Sequence, residues 1–225
     1  MNLNRLIDHT KLGPKVSKQQ IDQLIEEAKK HNFKSICVDP IYVSYAKKAL
    51  KGSTVLVCTV VGFPAGTHLK SVKVFETEQA IKDGADEIDM VINQNALING
   101  DQDLVYEEIK AVKEACGNRV LKVIIETANL TDDQKEIACN LAVKAKADYV
   151  KTSTGFSGGG ATIEDVKLMR QTVGSKLGVK ASGGIGTYEK AKEMIDAGAT
   201  RIGASKGVAI VQKTEEKKND TDTTY

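Results

Sequence analysis

Short runs of β-branched and aliphatic residues recur along the chain. Each is followed by a polar or glycine-containing loop and then by a segment whose apolar positions fall at helical spacing. The runs predict strands over Leu6–Thr10, Ser35–Val38, Thr54–Val61, Glu87–Ile92, Val120–Glu126, Tyr149–Thr152, Leu177–Ala181 and Arg201–Ala204. Helices are predicted to open at Ser17 with Gln20, Thr131 with Gln134, Thr162 with Asp165, and Thr187 with Glu189 or Lys190. At such sites a side-chain oxygen can accept from an otherwise unpaired N–H of the first turn. The stretches Gly84-Ala85-Asp86, Lys146-Ala147-Asp148 and Gly198-Ala199-Thr200 resemble one another, each ending a helix on a small residue just before a strand. Eight strands alternating with helices predict parallel βα units, and eight is the closing number of a (β/α)8 (TIM) barrel. An open doubly wound sheet is the alternative. No interior linker divides the chain, so residues 1–212 read as one barrel domain. Residues 213–225 are polar and charged, and read as a disordered tail.

The strands carry charges where a barrel strand, covered on both faces, makes them expensive. Period-two alternation sends Ile88 and Met90 to one face and Asp89 to the other. It sets Lys122 and Glu126 opposite Leu121, Val123 and Ile125, Lys151 opposite Val150, and Lys180 opposite Val179. The helix-facing side must be apolar, so Asp89, Lys122, Lys151 and Lys180 are predicted to point into the barrel. One explanation is a structural ion network in which Asp89 and Glu126 neutralise the lysines. The other is chemistry. Burial and a neighbouring ammonium favour a neutral lysine, and a neutral lysine attacks carbonyls to form a Schiff base. Lys151 is the best candidate nucleophile, because it ends its strand where barrel active sites lie and a polar Thr152-Ser153-Thr154-Gly155 run follows. Lys180 would be the second cation, Asp89 the proton carrier, and Lys122 a deeper electrostatic support.

Two loops after the last two strands read Ser182-Gly183-Gly184-Ile185-Gly186-Thr187 and Gly203-Ala204-Ser205-Lys206-Gly207, each predicted to open a helix. Glycine lets backbone N–H groups approach an anion, and these are the usual phosphate loops of the fold. Lys206 could add a charge contact. A third glycine-rich loop, Gly155–Gly160, follows the Lys151 strand.

Composition narrows the function classes. A length of 225 residues suits a single α/β barrel. A net charge of +2, aromatics at 4% and the absence of Trp give no reason to expect nucleic acid or an anionic membrane as partner. Cys37, Cys58, Cys116 and Cys139 form no CxxC pair and sit in apolar runs, and His9, His31 and His68 are scattered, so no metal site is expected. The longest apolar stretch, Val55–Phe63, is too short to span a bilayer, and Met1–Lys11 lacks a signal-peptide core. The expectation is a soluble, cytoplasmic protein.

Several motifs together resemble the 2-deoxyribose-5-phosphate aldolase family: KTSTGF from Lys151, KASGGI from Lys180, DEIDMV from Asp86, RIGAS from Arg201 and KVIIET from Lys122. Ile7-Asp8-His9-Thr10 and Ile36-Cys37-Val38-Asp39-Pro40 fit as well, and the resemblance runs in order over about residues 5–212. It implies a class I aldolase on a (β/α)8 barrel, needing no cofactor or metal. Its substrates would be a small sugar phosphate and aldehydes, and the protein could be a homo-oligomer, dimer or tetramer. By resemblance Lys151 is the Schiff-base lysine, Lys180 the lysine that perturbs it and Asp89 the proton-transfer acid. Lys122, Asp8 and Thr10 would support them electrostatically. Thr154, Gly155, Gly183, Gly184, Gly203 and Ser205 match substrate and phosphate positions, with Lys206 beside them. Other Schiff-base sugar-phosphate aldolases, transaldolase-like barrels and a non-catalytic sugar-phosphate binder are the competing readings. Two positions depart from the family: Gly186 stands where arginine is frequent, and Lys206 where a small residue is frequent. Lys206 is expected to replace that arginine in part. The terminal Tyr225, shared with some members, could assist a proton transfer.

Overall fold

Eight parallel strands close on themselves in chain order, with the last paired to the first. They are β1 (Ile7–Lys11), β2 (Ser35–Val38), β3 (Leu56–Val61), β4 (Glu87–Val91), β5 (Val120–Ile124), β6 (Tyr149–Lys151), β7 (Gly178–Ser182) and β8 (Arg201–Ala204). The computed structural model describes residues 3–212, so the expected tail at 213–225, with Tyr225, lies outside the described residues. The helices are α1 (Lys18–Lys30), α2 (Val43–Ala49), α3 (Lys70–Lys82), α4 (Gln94–Ile98), α5 (Gln102–Cys116), α6 (Asp132–Lys144), α7 (Ile163–Val173) and α8 (Tyr188–Asp196), and residues 207–212 are also helical. Two helices rather than one join β4 to β5. Ser17, Thr131, Thr162 and Thr187 each cap a helix as expected, with reciprocal capping boxes at Ser17–Gln20 and Thr131–Gln134.

Strand ends differ from expectation by a residue or two, and one difference has chemical weight. β5 stops at Ile124 because Glu126 adopts a left-handed φ of 57° and cannot continue the pleat. Its side chain therefore never joins the lysines, contrary to the ion network that alternation alone suggests. It accepts instead from the Thr154 N–H at 3.1 Å and the Ser157 hydroxyl at 2.8 Å, fixing the loop after β6.

The outer faces of the strands meet amphipathic helices. In α1 the buried residues are Ile21, Leu24, Ile25 and Ala28, and in α5 Val105, Ile109, Val112 and Cys116 lie inward. Cys116 and Cys139 are core hydrophobes as expected. Cys37 and Cys58 are buried in a second apolar cluster with Val60, and the Cys58 sulfur also lies 3.2 Å from Asp89 Oδ1 and 3.3 Å from Lys122 Nζ.

Helix α3 inverts the usual pattern. It buries Lys73, Thr77 and Ala80, while Val72 and Phe75, with Leu69 just before it, are exposed. Lys73 is fully buried and lies 2.7 Å from buried Glu108 of α5. It also donates to the carbonyls of Gly66 and Val91, each at 2.8 Å, which ties the β3–α3 loop to the end of β4. Glu108 accepts in turn from the Asn93 N–H at 3.0 Å. Gly62, at a positive φ of 62°, leaves the room this lysine fills, because a Cβ there would stand 2.7 Å from Lys73 Cε. Burial pushes the Lys73 pKa down and the Glu108 pKa up, each against the pull of the other's charge. Among the described residues no helix is long and apolar enough to cross a membrane.

Candidate active site

The inward positions of six strands converge on one charged cluster. Asp89 of β4 is its centre. Its Oδ1 accepts from Lys122 Nζ at 2.8 Å, and its Oδ2 is shared by Lys151 Nζ at 2.8 Å and Lys180 Nζ at 2.7 Å. The inward orientation expected for all four residues is what brings them together. The register explains how: Asp89 pairs with Lys122 and Lys151 with Lys180 on adjacent strands. Asp8 of β1 closes the ring, 2.6 Å from Lys180 Nζ and 3.7 Å from Lys122 Nζ.

A second layer lies beneath. Arg201 bonds Asp8 at 2.8 Å and Glu87 at 2.9 Å, and Glu87 reaches Lys122 at 2.7 Å. Glu87 and Arg201 are not among the residues that the sequence singles out, although Glu87 lies two residues before Asp89 and Arg201 two before Gly203. The same alternation that places Asp89 inward places them inward too. Burial would raise the Asp89 pKa, but Lys122, Lys151 and Lys180 hold it well below the usual carboxylate range. Asp8 behaves likewise under Lys180, Lys122 and Arg201. Burial would lower the Lys180 pKa, but Asp8 and Asp89 lift it above the ordinary lysine value. Lys122 is raised well above that value, chiefly by Asp89 against the effect of burial. Lys180 is thus a held cation in the immediate neighbourhood of Lys151.

Above the cluster, at the C-terminal ends of the strands, opens a cavity of about 430 Å³. Lys151 is in its wall, while Asp8, Asp89, Lys122 and Lys180 are buried beneath it. Thr154, Gly155, Gly183, Gly184, Gly203, Ser205 and Lys206, all expected at a substrate or phosphate site, line it together. Thr10 lines it as well; its hydroxyl donates to the Asp8 carbonyl at 2.9 Å, so Thr10 belongs to the wall rather than to the charged floor. Thr154 gives both its N–H and its hydroxyl to Glu126, leaving the oxygen to accept from the Phe156 N–H at 3.0 Å. Gly183 (φ 86°) and Gly184 (φ 75°) take backbone conformations that L side chains resist, and a Cβ on Gly183 would meet Gly160 at 2.9 Å. The expectation for Lys206 has a geometric counterpart: a Cβ at Gly186 would lie 3.3 Å from Lys206 Cδ, so the lysine stem covers the space above that glycine.

Two further residues shape the mouth. The half-exposed Phe156 ring packs edge-on against Phe63 at 5.2 Å and beside Gly13, joining the loops after β1, β3 and β6. Ser182, the last residue of β7, lines the cavity with a buried hydroxyl that has no protein partner. Among the described residues, Cys37, Cys58 and Asp89 could in principle offer ligand atoms to a metal ion. The three ammonium groups already on Asp89 oppose a cation there.

Fold and site together describe a TIM barrel with amines at the floor of a cavity and a glycine rim suited to an anion. The chain belongs to the DeoC/LacD family of aldolases, whose family model matches residues 4–214. It is 59% identical over 212 residues to a deoxyribose-phosphate aldolase of Streptococcus gordonii, covering 94% of this chain and 96% of that one. It is also 59% identical to one of Macrococcus caseolyticus, covering 98% and 100%. Among solved structures it superposes on a putative deoxyribose-phosphate aldolase from Coccidioides immitis with a TM-score of 0.93 at 46% identity, covering 95% of this chain and 86% of that one. The tetrameric deoxyribose phosphate aldolase from Aeropyrum pernix gives a TM-score of 0.86 at 29% identity, covering 95% and 91%.

Proposed function

We propose that this aldolase cleaves 2-deoxy-D-ribose 5-phosphate reversibly to D-glyceraldehyde 3-phosphate and acetaldehyde, through an imine on Lys151. The observation that carries the reading is the sharing of Asp89 Oδ2 by Lys151 and Lys180 at the floor of the glycine-rimmed cavity. Three carboxylates (Asp8, Glu87, Asp89) face four cationic groups (Lys122, Lys151, Lys180, Arg201), so the cluster is neutral when Lys151 is a free amine. Lys151 is also the one of the four that lines the cavity. Its amine adds to C1 of the open-chain aldehyde, and loss of water gives the iminium. The C3 hydroxyl proton passes to a solvent molecule ordered by Asp89 and Lys180 as the C2–C3 bond breaks. The bonding pair flows into the iminium, leaving an enamine on Lys151 and releasing glyceraldehyde 3-phosphate. Protonation of the enamine carbon and hydrolysis release acetaldehyde and restore the amine. Gly183, Gly184, Gly203 and Ser205 would bind the phosphate with Lys206, while Thr154 and Gly155 border the sugar.

The test is mass spectrometry after treatment with acetaldehyde and borohydride. The wild type should gain one ethyl group in place of one hydrogen, on the peptide holding Lys151, and Lys151→Ala should gain none. An unmodified wild type would instead favour a sugar-phosphate binder whose lysines only balance ligand charge. The role would be catabolic, in the breakdown of deoxyribose phosphates. Four free thiols suit a reducing, cytoplasmic setting. The exposed Leu69, Val72 and Phe75 favour burial against a second copy, as a dimer or tetramer.

A further inference from the structure

The hydroxyl of Ser182 is the part of the cavity wall that the fold leaves unexplained. The residue is 5% exposed and its oxygen meets no hydrogen-bonding group of the protein. A buried hydroxyl with no partner is destabilising, so its retention calls for an occupant. The surroundings hold it in place. The Ser182 N–H donates to the Thr152 hydroxyl at 3.0 Å, and that hydroxyl donates to the Ser182 carbonyl at 3.1 Å. The facing residue in register on β8 is Gly203, and a Cβ there would stand 2.4 Å from Ser182 Oγ. Any larger residue at that position would displace the hydroxyl. Backbone and neighbour are therefore both arranged around this one oxygen.

Its position along the strand says what it would meet. Lys180 and Ser182 lie on the same inward row, roughly 7 Å apart along β7. Gly183 and Gly184 come next. Resting on the proposed cleavage, this order runs parallel to the substrate: the C3 hydroxyl at Lys180 and Asp89, the phosphate on C5 at the glycine rim, and C4 between them. We propose that Ser182 is a specificity-determining residue that hydrogen-bonds the C4 hydroxyl of the sugar phosphate. In the synthetic direction the same oxygen is the hydroxyl next to the carbonyl of the acceptor aldehyde. Ser182 would thus select α-hydroxylated acceptors over plain ones.

The experiment measures kcat/KM for cleavage of 2-deoxyribose 5-phosphate and of its 4-deoxy analogue, following acetaldehyde through an NADH-dependent alcohol dehydrogenase. The wild type should prefer the hydroxylated substrate. In Ser182→Ala that preference should shrink by about fivefold to tenfold, the loss falling on the hydroxylated substrate. Equal losses on both substrates, or an unchanged ratio, would overturn the assignment and leave Ser182 a structural residue. Ser182→Cys, which retains a small side chain with a weaker donor, should fall between wild type and Ala, and a Cys variant no different from wild type would also overturn it. Failure of the underlying reading looks different: the wild type would release acetaldehyde from neither compound.

Discussion

Removing either member of the buried Lys73–Glu108 pair should be severely destabilising, and removing both much less so. The two groups are 2.7 Å apart at 0% and 1% exposure, so a lone survivor would be an uncompensated charge in the interior. Such losses cost about 3–5 kcal/mol. For a chain of this length each kcal/mol lowers Tm by about 2–4 °C, so Glu108→Gln should melt roughly 6–20 °C below wild type. Lys73→Met carries an added cost of about 1 kcal/mol for each of the Gly66 and Val91 carbonyls it leaves without a donor. The double variant keeps only that added cost, about 2 kcal/mol, and so should be more stable than either single. The pH trends should be opposite. In Lys73→Met the stranded Glu108, whose pKa burial already raises, sheds its charge by taking up a proton, so the cost shrinks as pH falls. In Glu108→Gln the stranded Lys73, whose pKa burial already lowers, sheds its charge by losing one, so the cost shrinks as pH rises. Urea unfolding of the four proteins between pH 5 and 9 (a range of about four units around neutrality) reads all of this. Additive single costs, or two singles with the same pH trend, would refute the reasoning.

Lys206→Ala should raise KM for 2-deoxyribose 5-phosphate by about fivefold, the worth of one exposed charge contact, while changing KM for unphosphorylated 2-deoxyribose far less; steady-state kinetics on the two sugars check it, and equal effects would exclude a phosphate contact. Asp8 and Asp89 have lowered folded-state pKa values, so their contribution is fully present above the unfolded value near 4 and is lost as pH falls below it. Stability to urea should therefore hold from neutral pH to about 5 and decline below about 4, and Asp8→Asn, already weaker at neutral pH, should decline less steeply.

Period-two alternation makes the floor of the site legible in the sequence. A charge at Asp89, Lys122, Lys151 or Lys180 can go only inward, because apolar neighbours claim the other face. The same rule covers Glu87 and Arg201, but in sequence a charge at the first residue of a strand is indistinguishable from one in the loop that leads into it. Glu126 defeats the rule for a related reason. Alternation holds only while the backbone stays extended, and nothing in Ile124-Ile125-Glu126-Thr127 announces a left-handed residue. The glycine rim is readable from composition and strand order, whereas the free hydroxyl of Ser182 is not. Its meaning depends on what fails to bond with it, which only three-dimensional neighbours reveal. Lys73 is equally hidden, because a lysine among exposed apolar residues on a helix resembles a solvated one.

The ionic floor also bears on how the molecule folds. Arg201 and Asp8 are bonded across 193 positions of chain, and Lys180 and Asp89 across 91. The first exists only when β8 has returned to β1, and the second only when β7 has come round to face β4, so no early, local piece of the chain holds the complete floor. A barrel not yet closed by β8 would leave Asp8 and Glu87 without Arg201, a state disfavoured on electrostatic grounds alone. Closure of the ring and completion of the chemistry are then one cooperative event. A chain trimmed before β8 would lose Arg201, the cation shared by Asp8 and Glu87 beneath the floor, along with its last strand, not merely an eighth of its wall.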